Sequence, residues 1–284
     1  MEVARTIAEI RASIAQARAA GRRIGLVPTM GALHVGHTSL IDAATARCDF
    51  VVVSIFVNPT QFCPGEDLEK YPRPFERDVA LCEQHGVAVV FAPTPEEMYP
   101  RDNVTWVTVE KLTEPLCGRS RPGHFRGVTT VCTKLFNIVL PDVAFFGQKD
   151  AQQALVIRRM VADLNQPLET VVCPTVREPD GLAVSSRNRY LSEQERRAAP
   201  VIFRSLQKCR EMIEAGERNA DEIRGAMIGV LREVSALKVE YVSLADAESL
   251  EESVQLQGQI LAAVAAHLGP ARLIDNILID VPDQ

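Results

Sequence analysis

The strongest constraint on this chain is the run Phe50-Val51-Val52-Val53-Ser54-Ile55-Phe56-Val57, almost wholly apolar and rich in β-branched residues. A strand with one wet face would alternate apolar and polar positions, whereas a continuous apolar run fits a strand covered on both faces, as in a parallel sheet between helices. Shorter apolar runs at residues 24–27, 87–91, 142–146 and 168–173 read as further strands. Between them lie segments with helical spacing, at residues 38–48 (Leu40, Ile41 and Ala44 on one face), 75–85, 128–139 and 151–164. Upstream, Thr6-Ile7-Ala8-Glu9 fits a capping box that opens an amphipathic helix through Ile7, Ile10, Ile14 and Ala17, stopped at Gly21. Strand and helix in alternation predict an α/β fold, a Rossmann-like doubly wound parallel sheet of right-handed βαβ units over residues 1–176.

The stretch 174–189 is rich in Pro, Gly and polar residues and reads as a boundary. Beyond it, Ser192 to Glu195 fits a second capping box opening a long helix to about Ala215, and another helix is expected near 220–234. Strands at 239–244, 259–267 and 272–279 follow, the last two a hairpin around Gly269-Pro270. The second domain, 177–284, is therefore a smaller α+β unit. In the less regular stretch 92–127, residues 104–109 read as a strand, and residues 119–126 form the most basic cluster, expected to be a loop.

Composition narrows the function classes. Net charge is −6, with no Lys/Arg run able to track a nucleic-acid backbone, so no nucleic-acid partner is expected. No apolar stretch approaches the roughly 18 residues of a membrane span, and the N-terminal segment carries charges inside a helical pattern rather than a signal peptide, so a cytoplasmic location is expected. The seven cysteines never form C-x-x-C and are read as reduced residues rather than zinc ligands or a disulfide framework.

Chemistry concentrates at Pro28-Thr29-Met30-Gly31-Ala32-Leu33-His34-Val35-Gly36-His37, between an expected strand and an expected helix. A helix starting near Gly36 would turn its N–H groups and positive dipole end toward whatever lies over the turn, which suits phosphate oxygens. His34 and His37, three apart, would project from one side of the first helical turn. The P-loop spacing is met by Gly31-x-x-x-x-Gly36-His37-Thr38 only with His in place of Lys, and no G-x-G-x-x-G is present at this turn. The four residues resemble instead the His-x-Gly-His signature of the nucleotidylyltransferase superfamily.

Further blocks extend the likeness along nearly the whole chain. They are Phe56-Val57-Asn58-Pro59 through Gln61-Phe62; Tyr71-Pro72-Arg73; Arg121-Pro122-Gly123-His124-Phe125-Arg126-Gly127-Val128; Phe146-Gly147-Gln148-Lys149-Asp150 with Gln152-Gln153; and Asp180-Gly181-Leu182 through Ser185-Ser186-Arg187-Asn188. Together with the His turn they resemble the pantothenate synthetase (pantoate–β-alanine ligase) family. The resemblance implies an ATP-dependent ligase that activates pantoate to a pantoyl-adenylate with release of pyrophosphate, then passes the acyl group to β-alanine and releases AMP. It implies ATP contacts at Met30, Gly31, Ala32, Leu33, His34, Val35, Gly36 and His37, at Gly147, Gln148, Lys149 and Asp150, and at Val176, Val184, Ser185, Ser186 and Arg187. His37, as proton donor, together with His34, Lys149 and Arg187, would carry catalysis. Gln61, Gln153 and Asn58 would hold the substrates pantoate and β-alanine. The resemblance also implies a homodimer.

Those residue types suit the reaction. Charge builds on phosphate oxygens as pyrophosphate leaves, so the enzyme mainly positions and neutralises; phosphate contact would favour protonated imidazoles at His34 and His37. Ser185-Ser186-Arg187, in isolation a polar linker, resembles a mobile loop that grips the β- and γ-phosphates. Neutral amides at Gln61 and Gln153 can bind pantoate's hydroxyls and carboxylate without the strong ion pair that would blunt a nucleophile. Mg2+ is expected with ATP. Relatives often carry consecutive carboxylates where this chain has Arg77-Asp78, so Asp78 or Asp150 is the carboxylate available to it, and no set of protein metal ligands is assigned. Two other classes fit the His turn alone: an adenylyltransferase acting on a phosphate-containing substrate, and a nucleotide-binding regulatory module without catalysis.

Overall fold

The chain is described from a computed structural model, over residues 1–282. In order, the first part holds β1 (Glu2–Ala4), α1 (Ile7–Ala19), β2 (Ile24–Thr29), α2 (Val35–Thr45), β3 (Phe50–Ile55), α3 (Phe75–Gln84), β4 (Val89–Phe91), α4 (Pro95–Met98), α5 (Cys117–Ser120), α6 (His124–Val139), β5 (Val143–Gly147), α7 (Ala151–Asp163) and β6 (Glu169–Cys173). The second holds α8 (Glu193–Ala198), α9 (Val201–Glu214), α10 (Ala220–Leu231), β7 (Leu237–Asp246), β8 (Gln259–Leu268) and β9 (Ala271–Asp280). Two compact units result: residues 1–148 with 152–174, and Lys149–Ala151 with the residues from Thr175 on.

The first unit is a six-stranded sheet in the order β1-β4-β3-β2-β5-β6, every pair parallel. Neighbouring residues along a strand serve opposite faces. Leu26, Val52, Ala144 and Phe146 join Ile10 and Ile14 of α1, Leu135 of α6 and Ile157 of α7 in one core. Val27, Val51, Val53, Val143 and Phe145 join Leu40 and Ile41 of α2 and Cys82 of α3 in the other. This is why the 50–57 run is apolar at consecutive positions: each face is covered, and each buried Val or Ile contributes about 1.5–3 kcal/mol. The α1 capping box between Thr6 and Glu9 is formed as expected. In the second unit, β7-β8-β9 form an antiparallel sheet with its own core, including Ile202 and Leu206 of α9, Ile223 and Met227 of α10, and Val264 of β8. The hairpin of β8 and β9 turns at Gly269-Pro270 as expected.

Three local expectations are corrected, and one element was not expected. Residues 104–109 form no strand: Val107 donates its N–H to Thr130 Oγ1 (3.0 Å) and its carbonyl accepts from Thr129 Oγ1 (2.6 Å), so hydroxyls of α6 take the place of a ladder. The basic segment 119–126 is not a solvated loop; it spans the end of α5 and the first turn of α6, with His124 and Phe125 buried. The helix expected from Ser192 to Ala215 is two helices, because Pro200 lacks an N–H to continue α8 and its ring opposes the preceding turn. The short edge strand β1 had too few residues to register as a pattern.

The seven cysteines are free thiols, all buried but the half-buried Cys63. Burial pushes Cys82, Cys132 and Cys209 up to about 12, which leaves them unreactive core residues. No helix among the described residues is long and apolar enough to cross a membrane.

Candidate active site

In a parallel sheet all carboxyl ends lie on one edge, where α/β folds bind ligands. Strands β2, β3 and β5 end there at Thr29, Ile55 and Gly147.

After β2, Thr29 Oγ1 donates to the Ser54 carbonyl (2.7 Å) and accepts from Gly31 N–H (3.1 Å), which starts the turn. Gly31 (φ +79°) and Ala32 (φ +52°) are both left-handed, and a non-glycine residue there costs about 1–2 kcal/mol. Asp78 of α3 offsets this strain. Only 1% exposed, it accepts from the N–H groups of Ala32 (2.7 Å) and Leu33 (2.8 Å) with separate oxygens. Asp78 is thus a brace for the His turn. Its carboxylate does not fit the metal-ligand role that the sequence left open for it.

His34 is the N-cap of α2. Its Nδ1 accepts from Gly36 N–H (3.2 Å), and Nδ1 of His37 accepts from His34 N–H (3.3 Å). The pair forms a capping box in which two imidazoles stand where Ser and Glu usually do. The rings lie 4.1 Å apart, tilted by 38°. A nitrogen that accepts carries no hydrogen, so both rings hold their proton on Nε2, the tautomer fixed by these partners.

After β3, Asn58 and Gln61 are buried. Asn58 Oδ1 accepts from Thr60 N–H (3.3 Å) and Nδ2 donates to the Gly127 carbonyl (3.2 Å), so main-chain groups orient its amide. Nδ2 also donates to Gln61 Oε1 (3.1 Å), which leaves the NH2 end of Gln61 to reach Met30 Sδ at 3.1 Å. A thioether is a weak acceptor that a ligand oxygen can displace. The turns after β2 and β3 therefore meet at Met30 and Gln61, with Asn58 bonded to the Gln61 oxygen, the Gly127 carbonyl and Thr60. In α7 the two glutamines divide: Gln152 is buried, accepting from Cys117 N–H (3.0 Å) and donating to the Leu112 (2.9 Å) and Pro115 (2.8 Å) carbonyls, whereas Gln153 is half-buried.

The remaining residues of interest belong to the second unit. Val184 N–H donates to the Val176 carbonyl (3.0 Å), and Ser185 Oγ accepts from Arg187 N–H (3.3 Å), capping a short turn, Ser186–Tyr190, that packs against β9. The side chain of Lys149 is 20% exposed, with its Nζ 4.0 Å from Asp150 Oδ2. What holds this turn lies far away in the chain: Asn276 Nδ2 of β9 donates to the Lys149 carbonyl (2.9 Å). Beside it, Asp275 accepts a fork from Arg177 (2.6 and 3.0 Å), whose guanidinium stacks 3.9 Å from the Phe203 ring centre. Burial pushes the Asp275 carboxyl up against the opposing pull of Arg177. A carboxyl-amide pair in a hairpin strand reads as ordinary register, and only the tertiary contact reveals it.

Among the described residues no group of three or more His, Cys, Asp or Glu could hold a metal ion. Asp78 is engaged by the His turn, and Asp150, the other carboxylate named from the sequence, is half-exposed.

A parallel sheet whose carboxyl edge carries a helix-capping pair of imidazoles and an aligned amide is the architecture of an α/β enzyme that handles nucleotides. The chain belongs to the pantoate–β-alanine ligase family, whose model it matches over residues 2–278. It is 56% identical to a pantothenate synthetase of Pelotomaculum thermopropionicum, covering 98% of this chain and 99% of that one. A solved pantothenate synthetase of Thermus thermophilus superposes with a TM-score of 0.93 at 46% identity, covering 98% and 99% of the two chains. A pantoate–β-alanine ligase of Francisella tularensis, described as complexed with β-γ ATP and β-alanine, gives a TM-score of 0.81 at 35% identity, covering 98% and 97%.

Proposed function

We propose that this chain carries out the reaction its family is named for: pantoate and ATP form pantoyl-adenylate and pyrophosphate, and β-alanine then takes the acyl group, releasing AMP and pantothenate. The observation that carries this reading is the 3.1 Å contact of Gln61 Nε2 with Met30 Sδ. A carboxylate can attack the α-phosphorus only if the acid and the nucleotide meet, and this contact joins the two turns that would hold them.

The aligned NH2 of Gln61 donates to a pantoate oxygen, displacing Met30 Sδ, and Gln153 supplies the second amide. Nε2–H of His34 and His37 and the start of α2 donate to phosphate oxygens as charge grows on them, contacts that strengthen in the transition state. Lys149, Ser185, Ser186 and Arg187 bind the leaving pyrophosphate. Asp150 is the side chain that would hold a Mg2+ ion bound to the ATP phosphates, where the ion would neutralise charge on the leaving pyrophosphate. The enzyme works in the cytoplasm as a homodimer.

ATP–pyrophosphate exchange tests the assignment. Exchange should require pantoate, and AMP should form only when β-alanine is added as well. Exchange supported by a phosphomonoester and not by pantoate would assign the chain instead to adenylyl transfer onto a phosphate.

A further inference from the structure

The block Arg121 to Val128 is part of the family resemblance, and its contacts give it a task. Arg121 binds Glu66 as a fork, Nε to Oε1 at 2.6 Å and Nη2 to Oε2 at 2.7 Å. Its Nη1 lies 3.0 Å from His124 Nε2, and His124 Nδ1 lies 2.7 Å from the Gln61 carbonyl. Nη2 also reaches that carbonyl, at 3.4 Å. A guanidinium only donates and a carbonyl only accepts, so His124 accepts at Nε2 and donates from Nδ1, one defined tautomer. Glu66 Oε2 accepts in addition from Cys63 N–H (3.0 Å), which ties the segment 61–66 back onto itself.

Gly127, one helical turn further along α6, closes the arrangement. A Cβ there would lie 2.3 Å from the Thr60 carbonyl oxygen and 2.7 Å from Gln61 Cα. Only glycine lets the helix backbone touch the main chain of Gln61. Gln61 is thus held at its carbonyl by His124 and Arg121, at its Cα by Gly127, and at its side-chain oxygen by Asn58.

We propose that Glu66, Arg121 and His124 form a positioning chain that fixes the main chain of Gln61 and thereby sets which acid the site accepts. This rests on the reading of Gln61 as the amide that binds pantoate. None of the three needs to touch substrate. Their effect is to keep the Gln61 amide aimed at one hydroxyl or carboxylate oxygen, and a site built to bond a hydroxyl discriminates strongly against an acid lacking it, provided that the donor does not wander.

The test uses the full chain with steady-state kinetics in pantoate and in ATP separately, and with the analogue lacking the 2-hydroxyl. Glu66→Gln and Arg121→Lys should each raise the pantoate KM about tenfold, leave the ATP KM within about twofold, and lower the preference for pantoate over the deoxy analogue. The double variant should be no worse than the poorer single one, as expected for members of one chain. Parallel loss of both KM values, or additive effects, would overturn the proposal. Glu66→Asp, which keeps the charge but shortens the arm, should give a smaller shift in the same direction even if Arg121→Lys folds poorly; an Asp variant indistinguishable from the parent, beside an equally unaffected Gln variant, would also overturn it. Gln61→Ala separates the two levels. If it leaves the pantoate KM unchanged, the reading of Gln61 itself fails; if it raises that KM while the Glu66 variants do not, the positioning chain alone fails.

Discussion

The turns after β2 and β3 leave paired strands of one sheet, yet the first is gripped through its N–H groups by a carboxylate and the second through a carbonyl by an imidazole and a guanidinium. In both cases a side chain on a helix later in the sequence, α3 or α6, steadies a loop whose own residues are needed for chemistry. The difference follows from what each turn must present. On the proposed reading the His turn offers donors to phosphate, and its surplus N–H groups are taken by an acid. The Gln61 turn offers an aligned amide, so its carbonyl is the group to anchor. A brace is chosen for the main-chain group that the turn leaves over.

The largest effect is expected at the acidic brace. Asp78→Ala strands two buried N–H groups under a left-handed turn, at about 1–3 kcal/mol each, so melting should fall by roughly 5–15 °C for a chain of this size and kcat by about 10³-fold. Calorimetry and initial rates on the same preparation decide it, and a variant with normal kcat would show that the His turn holds itself. Next comes the turn's own cargo: His37→Ala removes one donor and one cap, lowering kcat about 10²-fold while costing only about 1 kcal/mol of stability. If kcat and stability fell in proportion, His37 would be a structural cap and no more.

On the amide side a smaller, one-sided change is expected. Gln153→Ala should raise the pantoate KM about tenfold, leave ATP binding alone and keep the melting temperature, since the side chain is half-buried; equal weakening of both substrates would remove it from the acid site. The smallest effect concerns acid. Burial by itself would raise the Glu66 carboxyl, but the Arg121 fork and Cys63 N–H outweigh it and hold the carboxyl below its usual range. A carboxyl lowered by folding stabilises the fold above the unfolded value of about 4.3, and that contribution is lost as pH falls through the folded value. Glu66→Gln should therefore flatten the melting-temperature curve between about pH 5 and pH 3. Superimposable acid limbs for parent and variant would mean that the pair contributes nothing.

The sheet was legible because its strands are buried on both faces and its helices on one, so that period and β-branching agree over residues 24–57. The cap at Thr6 and the hairpin at Gly269-Pro270 were legible because a few adjacent residues determine them. What escaped was whatever depends on contacts distant in sequence. Val104 to Val109 has the composition of a strand but finds its bonds on Thr129 and Thr130. Asp78 reads from the sequence as a carboxylate available to Mg2+, and only the structure shows it gripping residues 46 and 45 positions earlier. At the site, the motif showed that His34 and His37 face one way but not that each caps the other, because tautomers follow from partners and not from spacing.

The bond from Asn276 to the Lys149 carbonyl spans 127 residues. A ribosome adding about 5–20 residues per second takes roughly 6–25 s to cover that distance. Through that interval Lys149 has been synthesised while the amide that holds its main chain has not, so the lysine turn goes without that support until Asn276 has been made.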